Sequence, residues 1–219
     1  MIFSINGDII PSDYQDMYDW YGFEGTSPKS LKAALDSLPV GDRLEVKINS
    51  PGGDFNAGQE MYSIIRQRND VDIEVVGIAA SAASIIALAG PSSISPVGLV
   101  MIHDAATAIY GNKNDLKDMA KTLDKIDTAI AQAYADKTGK TIDDLKAMMD
   151  KTCWLTAQDA VDIGLIDKIS EPAASGQVAA AIGGLKVTPD MVAKYKQHVA
   201  DEQEERKALI ADLDSYGKE

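Results

Sequence analysis

Ser81 closes the run Gly77-Ile-Ala-Ala-Ser81, where a β-branched, strand-like pattern gives way to a small-residue, helical one. A hydroxyl at such a junction is lifted above the sheet. The first unpaired N–H groups of the new helix then point toward any negative oxygen that develops beside it. Small neighbours let a substrate backbone come close. The spelling is not the G-x-S-x-G of a nucleophile elbow, and a serine in a tightly packed Ala-rich helix has the same local sequence. A serine nucleophile also needs a base, and the chain has two histidines, His103 and His198. His198 lies in a charged segment, where solvation explains it. His103 ends the apolar run that begins at Gly98, and strand ends commonly present site residues in α/β folds. A strand-end histidine bonded to backbone is the plain alternative. Ser50-Pro-Gly-Gly53 is the third feature: its glycines could aim backbone N–H groups into a cleft, or simply turn the chain.

The elements needed to position these residues are legible as patterns. Leu44-Glu-Val-Lys-Ile-Asn49 alternates with period two and predicts a strand that stops at the Ser50-Pro-Gly-Gly53 breaker. Ala57, Met61, Ile64 and Ile65 share one helical face over residues 56–68, an amphipathic pattern that suits a surface contact or an ordinary core helix. Residues 73–79 predict a second strand, 80–89 a small-residue helix stopped by Gly90-Pro91, and 98–102 a third strand. Apolar residues recurring from Leu116 to Tyr134 predict a long helix starting near Asn114 and capped by Gly139. Thr141 and Thr156, each followed three residues later by Asp, open two shorter helices, and Leu165-Ile166 predicts a last short strand. Strands alternating with helices argue for an α/β fold.

Composition narrows the function. The 219 residues carry 21 Lys+Arg and 34 Asp+Glu, a formal net charge of −13. Such a surface repels phosphate backbones and anionic lipid, so neither nucleic acid nor membrane is expected as a partner. The longest apolar stretch, residues 75–90, is interrupted by Gly77, Ser81 and Ser84 and falls short of a membrane span. No basic segment precedes the apolar residues at the N-terminus, so no secretory signal is expected. The single cysteine, Cys153, fits a reducing cytoplasm. With one cysteine and two histidines far apart no zinc site is expected, and no nucleotide loop is spelled out, so neither metal nor cofactor is expected. After Ser170 the composition shifts. Residues 171–187 read as an Ala/Gly-rich linker and 188–219 as a charged helical tail, with seven acidic and three basic residues in 201–219.

Taken in order, INSPGG (48–53), GIAAS (77–81), MIH (101–103) and WLTAQDAVDIGLID (154–167) resemble the Clp serine peptidase family. The resemblance covers about residues 1–170 and implies the crotonase-like superhelical ββα fold. It implies Ser81 as nucleophile, His103 as general base, and the backbone N–H groups of Gly53 and Ala82 as the oxyanion hole. It also implies a homo-oligomeric ring, protein substrates and an ATP-dependent unfoldase partner. GIAASAAS, MIHD in place of MIHQP, and Trp154 before LTA are similar to the phage-encoded branch, which implies capsid or scaffolding protein as substrate. The family places an acidic residue three positions before the Leu of LTA, where this chain has Thr152. Thr152 is therefore the third triad position, with Asp150 the alternative. A regular strand through both would set them on one face, too far apart to substitute for each other. The missing acid keeps open a weakly active or non-catalytic Clp-like assembly protein. A crotonase-fold acyl-CoA enzyme shares the oxyanion geometry but not GIAAS and MIH.

Overall fold

In the computed structural model, residues 1–171 are described, together with Gln197 and Lys207, both helical. Contacts divide the chain into two units, Met1–Pro172 and Ala173–Glu219, and the elements below belong to the first. Apart from Glu171, Gln197 and Lys207, the expected linker and charged tail, with His198, lie outside the described residues.

The chain opens with β1 (Ile2–Ile9), a 3-10 turn and α1 (Gln15–Tyr21), then β2 (Gly25–Thr26) and α2 (Pro28–Asp36). Next come β3 (Leu44–Gly53), α3 (Phe55–Arg66), β4 (Val71–Ala80) and α4 (Ala82–Ala87). Two short strands follow, β5 (Ser92–Ile94) and β6 (Leu99–Ile102), and then the long α5 (Lys113–Thr138). The last elements are α6 (Ile142–Met149), β7 (Cys153–Thr156), α7 (Ala157–Asp162) and β8 (Lys168–Ile169). The result is an α/β fold around one sheet of order β2-β1-β3-β4-β5-β8, with β6 also on β4 and β7 on β6. Every pairing is parallel except β6 with β7.

The alternation in β3 has a direct structural meaning. Leu44, Val46 and Ile48 are fully buried against the helical layer. Their neighbours Glu45 and Lys47 lie on the opposite face, where Lys47 pairs with Glu45 and Glu74, each at 3.4 Å. One face of the sheet therefore packs the core and the other is polar, as period two demands. Met61 and Ile65 of α3, Ile86 of α4 and Tyr134 of α5 close the core from the helical side.

Helix ends follow the capping chemistry. Asn112 accepts from Asn114 N and Asp115 N at the start of α5, and Gly139 ends it in the left-handed conformation. Thr156 and Asp159 form a reciprocal capping box at α7.

Three expectations are corrected and one open choice is decided. β3 does not stop at Ser50 but runs through to Gly53, because β1 continues beside it with Ile9 opposite Gly53. The helix expected over 56–68 is α3, and it buries Ala57, Gly58, Met61 and Ile65, so that stripe is core. Leu165 and Ile166 are buried but precede the strand, which is Lys168–Ile169 paired with β5. Asp150 and Thr152 do not share a strand: Asp150 caps α6, and a turn separates it from β7.

Candidate active site

The sheet order brings Ser81 and His103 together. β4 and β6 are parallel neighbours with Ala79 opposite Val100 and Ala80 opposite Met101. One step further along both strands stand Ser81 and the segment entering His103, and the Ser81 N–H donates to Met101 O at 2.9 Å. Ser81 Oγ lies 2.8 Å from His103 Nε2. That is hydrogen-bonding distance for a hydroxyl donating to an unprotonated ring nitrogen.

Ser81 holds φ 54 and ψ −125 and is one of two non-glycine residues with positive φ among those described. A non-glycine residue in such a region costs about 1–3 kcal/mol and persists only where the surroundings impose it. Those surroundings are visible. Ala79, Ala80, Ala82 and Ala83 are all buried. A methyl on Gly58 of α3 would sit 2.9 Å from Ala82 Cβ, so α3 presses directly on the start of α4. Ser84 Oγ donates to Ser81 O at 2.6 Å and also shares a 2.6 Å hydrogen bond with the buried Tyr134 hydroxyl. Burial pushes the Tyr134 phenol well above its usual range, so it stays a neutral anchor.

The glycine end of β3 fits against this turn. Gly52 has φ 98, and a methyl there would fall 2.6 Å from Ala80 O and 2.7 Å from Ser81 Cβ. Gly53 has φ 146, and a methyl there would strike Ile9 O of β1. Neither position accepts a side chain without moving the strand beside it. Ser50, which sequence reasoning passed over, shapes this strand end: its hydroxyl donates to Gly7 O at 2.6 Å and accepts from Gly52 N at 3.1 Å. It is buried at 1% exposure, and a lone serine before Pro-Gly-Gly gives no periodic signal for that. Ala82 is the first residue of α4, so its N–H belongs to the unpaired amides of a helix start.

The acid side is arranged differently. β6 and β7 pair antiparallel with Ile102 opposite Cys153, so the next position outward sets His103 against Thr152. Thr152 is exposed, has φ 51, and its N–H donates to Met149 O at 2.8 Å. For a β-branched residue this backbone conformation is an outlier. Among the described residues, Ser81 is the only hydrogen-bond partner of the His103 ring, and neither Thr152 nor Asp150 reaches it. Cys153 lies in β7, partly buried and free.

Two other carboxylates lie on or against the segment that carries the base. Asp104 follows His103, and its Oδ1 is fully shielded without a hydrogen-bond partner. Burial, the nearby Asp127 charge and contact with the Asp150 carboxyl push the Asp104 carboxyl above its ordinary range, while His103 opposes the shift. Asp127, in the middle of α5, is only 8% exposed and accepts from the Ala105 N–H at 2.7 Å. A carboxylate on a helical stripe otherwise filled by Ile126 and Ile130 is the signal that could have found it. A cleft of about 360 Å³ lined by Tyr62, Arg66, Arg68, Lys137 and Asp167 includes neither Ser81 nor His103. No cluster of His, Cys, Asp and Glu among the described residues has the arrangement of a metal site. No helix among them is long and apolar enough to cross a membrane.

An α/β fold that presents a strained serine at a strand-to-helix turn, bonded to a histidine ending the next strand, has the arrangement of a serine-type hydrolase. The family model described as Clp protease matches residues 31–173. An ATP-dependent Clp protease proteolytic subunit of Bacteroides fragilis is 34% identical over 139 residues, covering 62% of this chain and 67% of that protein. The ATP-dependent Clp protease proteolytic subunit 1 of Leifsonia xyli is 33% identical over 168 residues, covering 73% of this chain and 85% of its own length. Subunit 2 of Treponema denticola is 33% identical over 141 residues, 63% of this chain and 70% of that protein. The chain belongs to the Clp protease family of serine-type peptidases.

Proposed function

We propose that this chain is a Clp-type proteolytic subunit that hydrolyses peptide bonds at Ser81 through an acyl-enzyme. His103 Nε2 takes the proton of the Ser81 hydroxyl as Oγ forms a bond to the peptide carbonyl carbon. The carbonyl oxygen becomes an oxyanion, held by the Gly53 and Ala82 N–H groups. His103 then gives its proton to the departing amine, and water, activated by the same ring, releases the acyl group. The carrying observation is the 2.8 Å contact between Ser81 Oγ and His103 Nε2 at a serine with positive φ. A packing serine has no reason to hold that backbone conformation. Thr152 occupies the third position and adds no charge there, with Asp150 the alternative, and neither side chain touches the ring of His103. No cofactor or metal takes part in these steps.

All three relatives described above are named as ATP-dependent Clp protease proteolytic subunits. Their names support protein substrates and an ATP-dependent unfoldase partner for this chain; the homo-oligomeric ring and the crotonase-like superhelical fold rest on the motif resemblance. The general Clp role therefore displaces capsid maturation as the leading reading. GIAASAAS, MIHD, Trp154 and the linker and acidic tail after Ser170 are what speak for a phage role, and the named relatives lend it no support. Residues 1–170 form the catalytic unit, followed by a linker at 171–187 and a charged arm at 188–219. Fluorophosphonate labelling tests the chemistry: the wild type should acquire one adduct, on Ser81, and a wild type that never labels overturns the proposal. Native mass spectrometry tests the ring.

A further inference from the structure

The base stands on the first residue beyond regular structure. β6 ends at Ile102, and residues 103–112 belong to no helix or strand. Nothing in the β ladder therefore fixes the backbone on the far side of His103. The nearest anchor is Asp127, whose carboxylate takes the Ala105 N–H at 2.7 Å. Seven residues along the same helix, Tyr134 holds Ser84 Oγ at 2.6 Å, and Ser84 Oγ in turn donates to the carbonyl of Ser81. Residues seven apart lie on one face of a helix, two turns from each other. Both side chains are buried, at 8% and 1% exposure. One rigid helix thus grips the nucleophile's turn at one point and the base's loop at another.

We infer that α5 sets the spacing of Ser81 and His103, with Asp127 and Tyr134 as positioning residues that touch neither substrate nor reacting atoms. The inference rests on the assignment of Ser81 and His103 as the catalytic pair. It accounts for a base held in line although Thr152 supplies no carboxylate. The operative feature at Asp127 is the hydrogen bond to Ala105, which an amide oxygen can also accept; at Tyr134 it is the hydroxyl.

The test is the rate of fluorophosphonate labelling by the full-length chain, resolved into probe affinity and maximal rate, at a temperature well below the unfolding of each variant. Asp127→Ser, too short to reach Ala105, should lower the maximal rate at least tenfold and leave probe affinity within threefold. Asp127→Asn should stay within threefold of wild type in both. Tyr134→Phe should lower the maximal rate at least fivefold with affinity unchanged. A merely structural role would lower the unfolding temperature and leave the maximal rate of the folded protein alone. Either Asp127→Ser or Tyr134→Phe labelling at the wild-type rate while folded overturns the inference, as does Asp127→Asn falling as far as Asp127→Ser. If Asp127→Ser does not fold, Tyr134→Phe, which keeps the ring, decides alone. A wild type that does not label at all refutes the catalytic assignment instead, so the two failures are distinct.

Discussion

The two halves of the site are built to different standards. On the nucleophile side every position is over-determined. Gly52 abuts Ser81 Cβ, Gly58 abuts Ala82, Ser84 binds the Ser81 carbonyl, and the Ser81 N–H is taken by Met101. On the acid side the ring of His103 has one hydrogen-bond partner among the described residues, and it is Ser81 itself. Its cross-strand neighbour Thr152 is exposed and strained, and Asp104 carries a shielded, unpartnered oxygen. The contrast teaches that geometry at the nucleophile is fixed by close backbone packing, which tolerates no added atom. The charge behind the base is loosely specified and open to change.

The predictions follow that asymmetry, the largest effect first. His103→Ala should slow turnover of a peptide substrate by a factor on the order of 10⁴–10⁶, and combining it with Ser81→Ala should cost little more than either change alone, because the pair acts as a unit. Additive losses in the double variant would separate the two residues.

Gly52→Ala comes next. The new methyl must displace Ala80 O or Ser81 Cβ and occupy φ 98. A shift of about 1 Å at the nucleophile should reduce labelling about 10²-fold. The backbone conformation should cost about 1–3 kcal/mol in denaturant unfolding. Near-normal rates in this variant would show that the packed side is softer than its contacts imply.

On the open side the effects should be smaller and can be favourable. Thr152→Asp places a carboxylate opposite the base and suits the left-handed backbone better than a β-branched residue. It should raise turnover about tenfold, since charge behind the imidazolium is what the site lacks. Thr152→Asn relieves the same backbone strain without charge and should leave turnover within about twofold. Equal gains from both would assign the effect to the backbone. Asp150→Asn should change turnover little, because its carboxyl meets Asp104 and not the ring.

The smallest effect concerns stability. The Asp104 carboxyl titrates above its unfolded value, so the folded state favours its protonated form. Below the unfolded pKa both states are protonated and nothing is lost. As pH rises through the folded value, the native state bears a growing penalty. Asp104→Asn should therefore raise the unfolding temperature by about 1–3 °C at pH 7, with the gain vanishing near pH 4. A gain that persists at pH 4 would assign the effect to packing.

The same asymmetry governed what could be read from the sequence. The nucleophile side was legible because it depends on local spelling. Small residues around Ser81, alternation in Leu44–Asn49 and an apolar strand ending at His103 each carry a backbone requirement. The stop at Gly139 and the caps at Thr141 and Thr156 were legible for the same reason. The exit from β3 was misjudged because Ser50-Pro-Gly-Gly53 has the composition of a turn, while the neighbouring β1 keeps it in the sheet. β1, β2 and β5 have no clear periodicity, being held by pairing with distant strands. The role of Asp127 is hidden in the sequence because its partner is a backbone amide 22 residues earlier in the chain; only its place on an apolar helical stripe hints at burial. The turn at Thr152 was missed for a related reason: threonine favours strands, and only tertiary context forces φ 51 on it.

The most direct measurement of the central claim is peptide mapping of the wild-type protein after reaction with a fluorophosphonate, run beside Ser81→Ala and His103→Ala. The account requires a single adduct on the peptide containing Ser81, absent from Ser81→Ala and strongly slowed in His103→Ala, with all three proteins unfolding cooperatively. An adduct that persists in folded Ser81→Ala, or forms at the wild-type rate without His103, would contradict it.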